Sequence, residues 1–300
     1  MLKWFSTWRV VLVLALLAAI AWFALAGLPD GKLHVWFLDV GQGDAILIRA
    51  PDGRQILVDG GPSPAALLDE LGAVLPFWDR SLDLVVLTHG DADHVSGLVP
   101  LLERYEVTAA VDGAQPGDRE SAAWLAAIED AGIPRVTATR GTRLAAGAMM
   151  LTVLSPDARG TGGAWSSNDG SLVLRLDYGE TSVLLTGDAE EAAEQAMMAA
   201  GLPLDVDVLK VGHHGSAAST SAAFLAQVAP QVAVISVGAE NRFGHPSDEV
   251  LARLTQRLRD SDEVNQRSGV SVLFTIGAHE TMVAGAVRRA LRTGETALEG

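Results

Sequence analysis

From Leu33 onward the apolar residues of this chain fall into short runs separated by Gly- and Asp-rich turns. Ten of these runs read as β-strands: Leu33 to Val40, Ala45 to Arg49, Gln55 to Asp59, Leu84 to Thr88, Met150 to Leu154, Leu172 to Leu176, Ser182 to Thr186, Asp207 to Val211, Val232 to Val237 and Val270 to Thr275. Several are continuously apolar, as in Leu84-Val85-Val86-Leu87, which is the pattern of strands covered on both faces. The segments Ser96 to Tyr105, Arg119 to Ala131, Glu190 to Ala200, Thr220 to Val228 and Ser247 to Leu258 carry helical spacing or composition, with Ser247 as an N-cap ahead of Asp248 and Glu249. Ten strands need one large sheet and favour two, with the helices outside them: an α/β layered architecture. With no fixed-period repeat and no low-complexity linker, residues 31–292 read as one domain and residues 293–300 as a disordered tail.

The pattern changes before Pro29. Lys3 and Arg9 precede a nineteen-residue uncharged stretch from Val10 to Leu28, about the length that crosses a bilayer as a helix. Trp4, Trp8 and Trp22 fit interfacial positions, so residues 1–30 are expected to be a retained membrane anchor. The alternative is a signal peptide cleaved after Ala24-Leu25-Ala26, which would give a secreted protein. In either case the basic start predicts that everything after Pro29 lies outside the cytoplasm.

Composition narrows the chemistry. Three hundred residues at 49% apolar content support one large core. There is no cysteine, so disulfides and thiolate metal sites are excluded and any metal centre must use nitrogen and oxygen ligands. A formal charge of -15 argues against a general nucleic-acid-binding surface, because phosphate contacts come largely from Lys and Arg.

Five of the seven histidines sit in polar or glycine-rich segments that follow apolar runs. Thr88-His89-Gly90-Asp91-Ala92-Asp93-His94 puts four metal-competent side chains into six residues, a density that repels itself unless a cation sits among them. The plain alternative is a solvated Asp-rich turn. His213 and His214 in Val-Gly-His-His-Gly-Ser, His245 in Phe-Gly-His-Pro and Asp188 in Leu-Leu-Thr-Gly-Asp repeat the placement. If the buried strands share a direction, their carboxyl ends form one edge where these side chains converge. His34 and His279 stand outside every motif and read as ordinary surface or core residues.

The motif from His89 to His94, followed by Thr186-Gly187-Asp188, resembles the metallo-β-lactamase superfamily signature. Leu38-Asp39-Val40-Gly41-Gln42-Gly43-Asp44-Ala45, Val58-Asp59-Gly60-Gly61, Gly212-His213-His214-Gly215-Ser216 and Asn241-Arg242-Phe243-Gly244-His245-Pro246 narrow the resemblance. Together they are similar to the C-terminal hydrolase-like domain of ComEC-type competence DNA-internalisation channels. The resemblance implies an αββα sandwich with a metal centre at one edge and phosphodiester cleavage as the chemistry. It further implies that His89 and Asp91 serve one metal, that Asp93 and His94 serve a second, that Asp188 bridges them and that His245 completes the second site. Such a bridge holds two cations about 3.5–4 Å apart. Asp93 thus belongs to the catalytic set. His213 and His214 then fall near the scissile phosphate, as acid or phosphoryl contact, with metal ligation or a plain turn as the other readings. Lys210, Ser216, Asn241 and Arg242 are candidate substrate contacts, and Lys210, Arg242 and Arg175 could line a basic groove.

Two departures from the superfamily pattern matter. The usual second histidine of the opening motif is Asp91, and no histidine lies between His94 and His213. Asn168 or Asp169 is the expected replacement at that third position. An oxygen-richer first site moves that site's preference away from zinc toward manganese or magnesium, while for the centre as a whole two ions, manganese or zinc ahead of magnesium, are expected, with a single ion as the alternative. Asp44 and Asp59 are expected to support metal-ligating histidines from behind, and Asp39, beside the Gly41–Gly43 turn, to be structural.

The leading expectation is a membrane-tethered, extracytoplasmic metal-dependent nuclease linked to DNA uptake, partnered by a channel or competence machinery. The chain is either freestanding or the end of a longer channel. Hydrolysis of a small phosphodiester or lactone-type ester is the second expectation, and a non-catalytic membrane-anchored binding platform the third.

Overall fold

The computed structural model describes residues 8–18, 29–113, 119–157, 165–239, 241–260 and 282–285. Residues 8–18 are helical (α1), and the strands beyond them form two large sheets. The first runs in the order β1 (His34–Phe37), β2 (Ile46–Arg49), β3 (Gln55–Val58), β5 (Leu84–Leu87), β7 (Ala110–Asp112), β8 (Arg135–Thr137), and β4 (Ser81–Leu82) pairs separately with β6 (Glu106–Val107). The second contains β9 (Arg143–Ala146), β10 (Met149–Ser155), β11 (Val173–Tyr178), β12 (Thr181–Leu185), β13 (Val208–Lys210), β14 (Val232–Ile235) and β15 (Met282–Gly285), each neighbouring the next in chain order.

The absence of polar alternation in the strands has a direct structural cause. Successive side chains point to opposite faces, and here both faces are dry. Ile46, Ile48, Ile56, Val58 and Val86 of the first sheet meet Leu151, Val153, Leu174, Leu176, Val183 and Val234 of the second in an inter-sheet core. The alternate residues Leu47, Leu57, Val85 and Leu87 pack outward under helices α2 (Pro64–Val74), α3 (Ala92–Val95), α4 (Leu98–Leu101) and α5 (Arg119–Ala131). On the other side Leu184, Leu209, Ala233 and Ile235 pack under α6 (Glu191–Ala199), α7 (Ala222–Val228) and α8 (Asp248–Asp260). The layers are therefore αββα, as the resemblance implies. Local signals support the helices: Ser63 caps α2 with Pro64 following it, and Ser221 caps α7 through the Phe224 amide.

Strands β3, β5, β7 and β8 are mutually parallel, as are β12, β13 and β14. Their carboxyl ends deliver Asp59, Thr88, His89, Asp188, His213 and Ser236 to one edge of the sandwich. β2 is antiparallel to β3, so Asp44, just ahead of it, arrives at the same edge.

The first nine expected strands are present with shifted ends, while Val270 to Thr275 and residues 293–300 lie outside the described residues. Helix α2 and strands β7, β8 and β9 go beyond the expected elements. Ser96 to Tyr105 contains only the one-turn α4, and α3 places a helical turn inside the histidine motif itself. Helix α1 is exposed, but residues 19–28 lie outside the described residues, and among the described ones no helix is long and apolar enough to cross a membrane.

Candidate metal centre

Each buried histidine is aimed by a partner on its Nδ1. Asp59 accepts the Thr88 amide at 2.8 Å, the Thr88 hydroxyl at 2.7 Å and His94 Nδ1 at 2.8 Å. The Thr88 hydroxyl in turn lies 3.1 Å from His89 Nδ1, so one carboxylate orients both imidazoles of the opening motif. His214 Nδ1 donates to the Ser236 carbonyl at 2.9 Å. Asp59, His213 and His214 are held at positive φ, a conformation costing on the order of 1–2 kcal/mol per residue, and such strain concentrates at functional sites. A second local device brings the motif down onto Asp44. The Asp44 amide bonds the Asp93 carbonyl at 3.3 Å, and a Cβ on Gly43 would stand 2.1 Å from that same oxygen, so only glycine fits there.

The Nε2 atoms that remain converge. His94 Nε2 lies 3.3 Å from Asp188 Oδ1, and His214 Nε2 lies 3.3 Å from Asp93 Oδ2 and 3.4 Å from Asp188 Oδ2. Asp93, His94, Asp188 and His214 together could hold a metal ion. His89 Nε2, 3.6 Å from Asp91 Oδ2 and 4.0 Å from Asp188 Oδ2, forms a looser second constellation with them. Unpaired polar atoms mark where a cation belongs. His89 Nε2, His94 Nε2, His214 Nε2 and Asp188 Oδ1 are all buried without a hydrogen-bond partner, an arrangement that costs stability unless a cation receives their lone pairs. The residues present therefore fit divalent ions.

Charge–charge coupling is strong. Burial favours neutral forms, but Asp188 and Asp59 push His94 well above the ordinary histidine value. Burial likewise opposes protonation of His214, yet Asp188 and Asp93 push it up to about 9. Against its own burial, Asp93 is pulled down to about 2 by His214 and His94. Asp188 is held well below the carboxylate range by His94 and His214 despite complete burial.

The structure redistributes several expected roles. The nitrogen that meets Asp93 and Asp188 belongs to His214; His245 instead sits one ring further out, 5.5 Å between centroids from His213. Lys210 is not an exposed substrate contact. Its stem follows β13 into the interior, where the fully buried ammonium pairs with Asp44, donates to the Gly187 carbonyl at 2.9 Å and lies 3.7 Å from Asp188. Burial lowers its proton affinity, but Asp44 and Asp188 more than offset this and raise it. That ammonium already supplies the cation for the neighbouring convergence of Asp44, Asp59 and His94. Arg175 is tied to Asp177 and the carbonyls of Pro203 and Asp205.

Neither expected substitute for the third histidine is aimed at a metal. Asp169 accepts the Glu190 and Ala193 amides at the start of α6, and Asn168 donates to Glu190. Ser216 caps its own turn through the Ala218 amide. Asn241 fixes the 241–246 loop by bonding Gly238, Phe243 and His245, which leaves Arg242 exposed at its tip. Asp39 accepts the Gly41 amide in a turn, as expected.

Three participants escape sequence reasoning. Glu190 lies 2.8 Å from His213 Nδ1, Thr88 relays Asp59 to His89, and Ser167 donates to Asp91 at 2.7 Å. Thr88 opens the quoted histidine motif, Ser167 directly precedes Asn168, and Glu190 follows Asp188 by two residues; that adjacency is the available signal.

Comparison with known proteins agrees with this geometry. The chain is 35% identical over 246 residues to ComE operon protein 3 of Bacillus subtilis, covering 75% of this chain and 30% of that one. It is 30% identical over 240 residues to competence protein ComA of Neisseria gonorrhoeae, covering 80% of this chain and 32% of that one. The chain thus spans about a third of the length of these relatives. Among solved structures, CmlA, a diiron beta-hydroxylase from Streptomyces venezuelae, superposes with a TM-score of 0.50 at 16% identity over 84% of this chain and 54% of that one, a likeness of fold. The model of the Metallo-beta-lactamase superfamily matches residues 38–120 and 150–239, which takes in strands of both sheets together with His89, His94, Asp188 and His214, and it is to this superfamily that the chain belongs.

Proposed function

We propose that the chain is a metal-dependent phosphodiester hydrolase, a nuclease acting on DNA outside the cytoplasm. The observation that carries this reading is the convergence of partnerless nitrogens and a buried carboxylate oxygen at the strand ends. The DNA assignment rests on relatives named for competence, and so does the proposed partnership with a channel or competence machinery. His94, His214, Asp93 and Asp188 would hold one divalent ion, and His89, Asp91 and Asp188 a second. Bound there, such ions supply Lewis acidity to a phosphoryl group. Imidazole ligands beside carboxylates favour manganese or zinc over magnesium. Asp59 engages Nδ1 of His94 and, through Thr88, Nδ1 of His89, so that Nε2 is the nitrogen each ring would offer to a metal.

Among the histidines, His213 has the geometry of a proton carrier. Its Nδ1 is bound by Glu190, its Nε2 lies 3.7 Å from Asp188, and its side chain is partly exposed. It would deliver a proton to the leaving oxygen while Glu190 orients the ring. Residues 1–30 would tether the domain to the membrane, with cleavage and secretion as the other outcome.

The test uses the full chain in detergent, stripped with a chelator and reloaded with manganese, zinc or magnesium. Cleavage of DNA that depends on added metal is the expected result. Cleavage of a small diester alone would remove DNA from the reading, and absence of both hydrolysis and metal uptake would leave only a binding platform.

A further inference from the structure

We propose that the rim of the centre carries a nucleobase-stacking platform, with Phe243 as its face and Arg242 as its cation, which selects single-stranded over duplex nucleic acid. The inference rests on the phosphodiesterase reading and names the form of substrate that reading leaves open. Phe243 is 55% exposed. Its ring stacks on His245 with centroids 5.8 Å apart and planes at 13°, and His245 sits 5.5 Å from His213. His213 Nε2 in turn lies 3.7 Å from Asp188. A continuous run of rings therefore leads from the centre to solvent. Arg242, also exposed, rests with its guanidinium 5.2 Å over the Phe243 ring, where it can exchange that contact for a phosphate or a base.

Electrostatics makes stacking the main source of affinity. Duplex binding scales with the number of phosphates neutralised by Lys and Arg. The chain carries a net charge of -15, Lys210 is buried against Asp44, and Arg175 is committed to Asp177 and two carbonyls. Of these three cations, Arg242 alone is presented at the rim. Aromatic stacking is insensitive to that deficit and requires an unpaired base, because a base offers its π-face only when it is out of the duplex.

The experiment measures fluorescence anisotropy of a labelled oligothymidylate, an abasic oligomer of equal length and a duplex with the full-length chain, stripped of metal so that nothing is cleaved. The wild type should bind the base-bearing strand more tightly than the other two, by roughly tenfold or more. Phe243→Ala should bring it down to the abasic level, and Phe243→Trp should retain the preference. The salt dependence should be shallow, near the slope of about -0.7 for a single phosphate contact on a single strand, and Arg242→Gln should flatten it further. An unchanged preference in Phe243→Ala, or duplex binding as tight as single-strand binding, would overturn the platform. Because this is a binding measurement, it separates from the hydrolase reading: reloaded protein that cleaves no diester counts against the latter alone.

Discussion

Asp59 Oδ2 and His94 Nδ1 stand 2.8 Å apart in the interior, and the same carboxylate carries the Thr88 hydroxyl that meets His89. One buried acid thus fixes two neighbouring imidazoles, whose ring centroids lie 4.1 Å apart and whose Nε2 atoms face Asp188. Replacing it with Asn keeps the shape and removes the charge that holds both tautomers. Asp59→Asn should weaken metal binding about 10–100-fold, as loss of such outer partners does, measured by competition with a chromogenic chelator. Unchanged affinity would detach Asp59 from the centre.

Glu190 holds the His213 ring from the side away from the centre, with 2.8 Å between carboxylate and Nδ1. Glu190→Gln should lower kcat with little change in KM, and Glu190→Asp should recover part of the loss, because a carboxylate accepts the ring proton that an amide can also donate against. His213→Asn should cost more, about 10²–10⁴ in rate. If Glu190→Gln lowered thermal stability and left kcat in place, its role would be structural.

Much of this was legible in the sequence for a simple reason. Strands buried on both faces lose polar alternation, and the chemistry-bearing residues sit just past their ends, so the apolar runs themselves point to His89, Asp188 and His213. Edges and short connections are not legible: β8 is exposed at Arg135, Val136 and Thr137 and has no apolar run to betray it. Lys210 misleads because a lysine at a strand end ordinarily reaches solvent, and nothing local indicates that Asp44, far away in sequence, waits for it inside. His214 and His245 are both histidines in glycine-rich loops, and only the packing of β13 and β14 decides which one faces Asp93.

Protons and metal compete for the same nitrogens. His214, raised to about 9, stabilises the metal-free fold fully below its unfolded value near 6.5, and this contribution is lost as pH rises through about 9. Asp93 behaves oppositely: its contribution is present above 3.8 and is lost as pH falls through about 2. A cation entering the centre must displace the proton from His214, so metal affinity should rise with pH up to about 9 and metal binding should release protons at neutral pH. Calorimetry in buffers of different ionisation enthalpy reads that release directly; none at neutral pH would show that these imidazoles are already neutral.

Gly97 abuts the opening motif from behind. A Cβ there would stand 1.9 Å from the Gly60 carbonyl oxygen, a backbone atom with no rotamer to yield. Gly97→Ala should therefore cost roughly 2 kcal/mol or more and loosen the 59–61 turn beside the centre. Gly72→Ala in α2, with nothing within 4 Å of the added carbon, should instead gain about 0.4–1 kcal/mol. Chemical denaturation of the two variants against the wild type reads both signs.

The central claim is that Asp93, His94, Asp188 and His214 bind a divalent cation, and anomalous diffraction from crystals soaked in manganese or zinc tests it most directly. The expected result is a peak bonded to His94 Nε2, His214 Nε2 and carboxylate oxygens of Asp93 and Asp188, with any second peak beside His89 and Asp91. No peak there, or one displaced to Asp44 and Asp59 where the Lys210 ammonium sits, would contradict the account.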